Sequence, residues 1–208
     1  MRNLHKSTIF GVDLCCAFSE KVMIMGDRDT LLKCIYQYYP PYSNLNANNR
    51  NHLQRKDKLF QEIILKKLSE IFIAYPVVDW TEEESFCYEY KILLHENQPI
   101  LDDDIELIKA LHGERNDLWV FVSILAPYYY IKAEKTQYCE GDKWLFNNLI
   151  ISDDKIQKLL VEIDEYFLDM GFSKLSDEDV KIRVPLVETE LKSYNEVTVF
   201  DCLFTDYC

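Results

Sequence analysis

From Leu118 to Leu125 the chain is continuously apolar apart from Ser123, and Pro127 breaks the run just before three consecutive tyrosines. A strand that is apolar on both sides has to be covered on both faces, so this run predicts a central strand with a layer above and below it. Tyr128–Tyr138 resumes as a second strand, with Lys132, Glu134 and Thr136 pointing one way. Upstream, Phe86, Tyr88, Tyr90, Ile92 and Leu94 alternate with Ser85, Cys87, Glu89 and Lys91, the period-two pattern of a further strand. Trp144–Ile151 reads as another.

The helical segments have a different period. Ile156, Leu159, Leu160, Ile163, Phe167 and Met170 form one stripe, which predicts a helix from Asp153 to Met170 capped by Ser152 and ended by Gly171. Leu53, Leu59, Phe60, Ile63, Ile64, Leu68, Ile71 and Phe72 do the same over His52–Ala74, and Pro76 stops them. A shorter helix through Leu31, Leu32, Ile35 and Tyr36 is capped by Asp29 or Thr30 and halted by Pro40–Pro41. Asp102–Leu111 is expected as a helix with carboxylates at its first turn, and His112 and Gly113 at its end. Val180–Val184 and Val197–Phe204 are expected as closing strands. The order α, α, β, α, β, β, β, α, β, β describes an α+β fold, a mostly antiparallel sheet packed by three or four helices.

At 208 residues with 48% hydrophobic and 28% charged side chains, the chain fits one ordinary globular domain, expected over residues 25–208. Residues 1–24 are expected to be an N-terminal extension, because Met23 and Met25 immediately precede the first helix. Arg2, His5 and Lys6 before Ile9–Phe18 superficially suggest a signal peptide, but Asp13 interrupts the apolar stretch and no small-x-small site follows. No window approaches the ~20 apolar residues of a spanning helix, so no membrane association is expected. Seven cysteines without a C-x-x-C pair suit a reducing cytoplasm better than a disulfide framework.

Charge is divided unevenly. Residues 1–75 carry 11 Lys+Arg and 7 Asp+Glu, a balance of +4; residues 76–208 carry 12 and 29, a balance of −17, which together make the net −13. Such a body repels polyanions and steers basic partners toward itself, so a basic protein partner is expected and nucleic acid is not.

Motifs for chemistry are missing. There is no G-x-x-x-x-G-K-[ST], no G-x-G-x-x-G and no G-x-S-x-G. Asp102, Asp103 and Asp104 invite a metal reading, but neighbouring helical carboxylates splay by ~100° and are explained by the helix dipole. His95 and His112 lack the i,i+4 spacing of a zinc helix. Neither catalytic residues nor a metal or other cofactor are therefore expected. The candidate partner-binding residues are Trp80 with Glu82, Glu83 and Glu84, the Asp102–Asp104 cluster, Tyr128 and Tyr130 as one face of an aromatic ledge, and Asp177, Glu178 and Asp179.

Three stretches, Ile35-Tyr36-Gln37-Tyr38-Tyr39-Pro40, Ser123-Ile124-Leu125-Ala126-Pro127-Tyr128-Tyr129 and the terminal Val197–Asp206 phrase, resemble small bacterial proteins found beside polymorphic toxins and thought to be immunity proteins. The resemblance spans about residue 25 onward and implies a cytoplasmic, non-enzymatic toxin inhibitor that works by binding. Were the toxin a nuclease, with a basic active site, an acidic inhibitor would compete with its substrate. Two other readings stay open: an enzyme without a local signature, using carboxylates and tyrosines around Asp102–Asp104 and Tyr128–Tyr130, and a module that self-associates through aromatic strands.

Overall fold

A computed structural model describes residues 28–39, 57–82, 85–95, 104–139, 141, 143–189 and 192–205. The expected extension 1–24 and the candidates Glu83, Glu84, Asp102 and Asp103 lie outside the described residues. The fold is α+β. Strands β1 (Val77–Asp79), β2 (Cys87–Leu93), β3 (Glu114–Ser123), β4 (Tyr128–Cys139) and β5 (Lys143–Asn148) run in sequence order as an antiparallel sheet. β6 (Ser173–Leu175) joins beside β4 in parallel, through Tyr128–Tyr130.

Two layers cover this sheet, as the apolar run in β3 requires. On one face α2 (Lys58–Ile71) and α4 (Asp154–Asp169) bury Phe60, Ile64, Leu68, Ile156, Ile163 and Phe167 against Tyr88, Tyr90, Ile92, Leu118, Val120, Val122 and Tyr129. Helix α2 is capped by Asp57. Helix α4 is capped by Asp153, one residue later than expected, whose carboxylate accepts from the backbone of Lys155 and Ile156. On the other face α1 (Arg28–Tyr38), Val180, Val184, Val187, Val197 and Val199, and a π-helical turn at Asp201–Thr205 enclose Phe86, Phe121, Tyr128 and Tyr130. Helix α3 (Asp104–Ala110) packs on β3 and β4, and the chain reverses into β3 through His112 and Gly113, both at positive φ (62° and 89°).

The two expected closing strands do not form. Val180 ends a short helix, α5 (Asp177–Val180), and the only ladder contact nearby is the isolated bridge Arg183↔Thr198 among the described residues. In both places a side chain closes a helical turn. Ser176 and Asp179 form a reciprocal capping box. Thr198 donates from its backbone N–H and its hydroxyl to Asp201 Oδ2, each at 2.7 Å, and Asp201 turns the chain before it can extend. The remaining valence of Asp201 goes to Lys192, whose Nζ lies 2.8 Å from Oδ1.

Candidate functional site

The strand register assembles a row of charged and aromatic side chains on the face opposite α2 and α4. Lys91 of β2 pairs with Trp119 of β3, which pairs with Lys132 of β4; beside them run Leu93, Asp117 and Glu134. Lys91 Nζ sits 4.8 Å from the Trp119 ring centre and 5.3 Å from that of Trp80. It also lies 3.7 Å from Asp117 Oδ2, which accepts from Arg115 Nε at 2.8 Å. Lys132 pairs with Glu134. Three of these charges are deeply buried, Asp117 at 0% exposed, Arg115 at 4% and Lys91 at 6%, whereas Lys132 is partly exposed. The period-two pattern marks Glu89 and Lys91 as a polar strand face, and that face turns out to be interior.

Burial pushes the Asp117 carboxyl up from the usual range, against the opposing pull of Arg115 and Lys91. Among the described residues its Oδ1 has no hydrogen-bond partner, nor do the ring nitrogens of His95. Burial and the charge of Arg115 together hold His95 below its ordinary pKa of 6.5. Above 6.5 the imidazole is neutral in both states, and this contribution to stability is complete. Below it the unfolded chain takes up a proton that the folded chain refuses, so stability falls until the lowered folded value is passed. His95→Phe is expected to remove this part of the acid sensitivity, read as urea-unfolding free energy between about pH 7.5 and about pH 5. Parallel curves for the two proteins would sink the assignment.

The expected partner-binding residues separate into different environments. Trp80 is 46% exposed and stands edge-on to Trp119, with ring centres 6.2 Å apart at 88°. It is an exposed indole anchored from below, next to exposed Glu82. Tyr128 and Tyr130 are each 7% exposed, so the expected ledge is core; Tyr130 stacks on Phe121, and its hydroxyl donates to Asp177 Oδ1 at 2.9 Å. Asp104 opens α3, and its side chain is outside the described residues. Asp177 and Glu178 are exposed on α5, whereas Asp179 closes the capping box with Ser176.

The sheet order places Trp80 and Asp177 at opposite edges, four inter-strand spacings or about 19 Å apart. A run of aromatic rings links them across the sheet: Trp80, Trp119, Phe121 and Tyr130 follow one another at 6.1–6.2 Å.

The anionic surface that sequence reasoning did not single out is α4. Between Asp153 and Val180 the chain carries nine carboxylates and three lysines, on α4, β6 and α5, and both helices contact β6. Glu162, Glu165 and Asp169 are exposed on α4. Asp164 is half-buried and tied down, accepting from Tyr129 hydroxyl at 2.7 Å and from Lys174 Nζ at 2.9 Å. The signal was available, since the stripe that predicts α4 also predicts which of its carboxylates face solvent.

Neither a family model, nor a curated protein, nor a solved structure matches the chain. Its chemistry has to be read from the side chains alone. A depression of about 190 Å³ lies between Tyr75, Leu94, Asn116, Ile151 and Ile156, smaller than the ~300–1,000 Å³ of most small-molecule sites. Its carboxylate, Asp153, is already committed as the α4 cap. Among the described residues no group of three or more His, Cys, Asp or Glu side chains is arranged to hold a metal ion, and no helix is long and apolar enough to cross a membrane.

Proposed function

We propose that this protein is a non-enzymatic inhibitor of the immunity type, which neutralises a basic toxin domain by docking onto it in the cytoplasm. The observation that carries the reading is the nine-to-three excess of carboxylates over lysines between Asp153 and Val180, a segment that comprises α4 with its cap, β6 and α5, both helices packing on that strand. A fixed anionic surface accelerates encounter with a cationic partner and opposes polyanions, so it favours a protein target over nucleic acid. Trp80, at the other edge of the sheet and on the face opposite α4, lies outside that anionic surface.

The test mixes the full chain with the toxin domain encoded beside its gene and follows binding by calorimetry at two salt concentrations. A complex tighter than about 1 µM that weakens with salt is expected. The double variant Glu165→Lys/Asp169→Lys changes only exposed α4 side chains and is expected to weaken the complex about tenfold or more, mostly through slower association. Absence of a complex at micromolar concentration, or one indifferent to salt and to charge reversal, would overturn the reading.

A further inference from the structure

We infer that two copies of this chain associate through β5, continuing the sheet across a two-fold axis at Leu145. β5 is the outer strand of the sheet among the described residues. At six residues it is about 20 Å long and sets three large apolar side chains, Trp144, Leu145 and Phe146, in succession along an outer edge, an arrangement open to pairing with another strand. Leu145 is 49% exposed and Phe146 63%, on opposite faces of the strand.

The hydrogen-bond pattern determines which backbone groups face outward. Leu149 N–H donates to Ala133 C=O, and with the β4–β5 register this sends the odd residues of β5 toward β4. The N–H and C=O groups of Trp144, Phe146 and Asn148 therefore point away from the sheet. Antiparallel pairing with a second β5 has to bond even residues to even residues. Setting Trp144 against Phe146 does so twice about the two-fold axis, and places Leu145 directly opposite its own copy.

In that register both aromatic residues meet across the junction on one face, the two leucines meet on the other, and Lys143 lies opposite Asn147. The alternative register centred on Phe146 sets Leu145 against Asn147 and wastes the leucine contact. Charge points to the same edge. A chain of net charge −13 repels its own copy over most of its surface, but β5 carries one lysine and no carboxylate. The occupant best matched to this strand is the same strand, by an isologous contact.

Sedimentation equilibrium of the full chain between about 1 and about 100 µM tests the inference, with hydrogen exchange of β5 followed over the same range. The expected result is a species of twice the 24.7 kDa chain mass, with protection of Lys143–Asn148 rising with concentration. Leu145→Lys sets two ammonium groups face to face and is expected to raise the dissociation constant about a hundredfold. Phe146→Lys, exposed on the other face, is expected to act in the same direction. Circular dichroism of both variants should match the parent, because neither side chain is in the core. A monomer throughout, whether β5 is unprotected or is protected by another part of its own chain, overturns the inference. So does a dimer indifferent to both substitutions.

Discussion

Phe121→Ala is expected to destabilise the fold by about 3–5 kcal/mol, through lost transfer energy and the cavity left behind. Phe121 is 7% exposed near the C-terminal end of β3, and its ring meets both the sheet and the segment that covers it. Trp119 and Tyr130 stack on it at 6.1 Å from within the sheet, while Phe200 and Phe204 reach it at 5.3 and 6.0 Å from the C-terminal turn. Those neighbours come from three separate segments, so the void cannot close by the shift of one element. Urea unfolding at neutral pH measures the loss, and Phe121→Leu, which keeps most of the volume, is expected to cost about 1 kcal/mol. A loss below about 1 kcal/mol for the alanine variant would mean that the turn does not rest on this ring.

The second large effect is electrostatic. Asp117→Ala is expected to cost about 3–5 kcal/mol, because it removes the carboxylate shared by two buried cations. Asp117 Oδ2 takes Arg115 at 2.8 Å and stands 3.7 Å from Lys91, in a position with no solvent exposure. Asp117→Asn keeps an acceptor for Arg115 and is expected to cost less, about 1–3 kcal/mol. Equal losses for the two variants would show that the charge alone matters here and that the retained volume and neutral acceptor of asparagine contribute nothing. The same urea titration decides this, with near-ultraviolet circular dichroism of Trp119 and Trp80 reporting whether the row above the carboxylate stays ordered.

The long periodic elements were legible in the chain. The stripe from Ile156 to Phe167 gives α4, and the alternation from Tyr88 to Ile92 gives β2, because each has enough repeats to define its period. β1 and β6 have three residues each, too few for any period to show, and the parallel pairing of β6 depends on the return path from α4. The expected strands at 180–184 and 197–204 failed for a local reason. Ser176-x-x-Asp179 and Thr198-x-x-Asp201 are both capping-box sequences, and a cap outweighs the β preference of the valines beside it.

The site was harder to read than the fold. Alternation shows that Glu89, Lys91, Asp117 and Glu134 share one sheet face but not that the face is covered. That depends on distant segments whose positions no local pattern encodes. Tyr128 and Tyr130 failed in the opposite direction: aromatic residues suit a surface ledge and a core equally well, and β4 puts these two inside.

The turn at Asp201–Thr205 is bound to the start of the described chain as well as to the sheet. Tyr39 hydroxyl donates to Cys202 C=O at 3.0 Å, across 163 positions, and Cys87 Sγ reaches Phe204 C=O at 2.9 Å. Contacts of such separation bear a large loop-closure entropy and form late. Until the segment carrying Phe200 and Phe204 folds back, the sheet face that carries Phe121 and Tyr130 therefore lacks its cover, and the strands beneath stay open to water on that side.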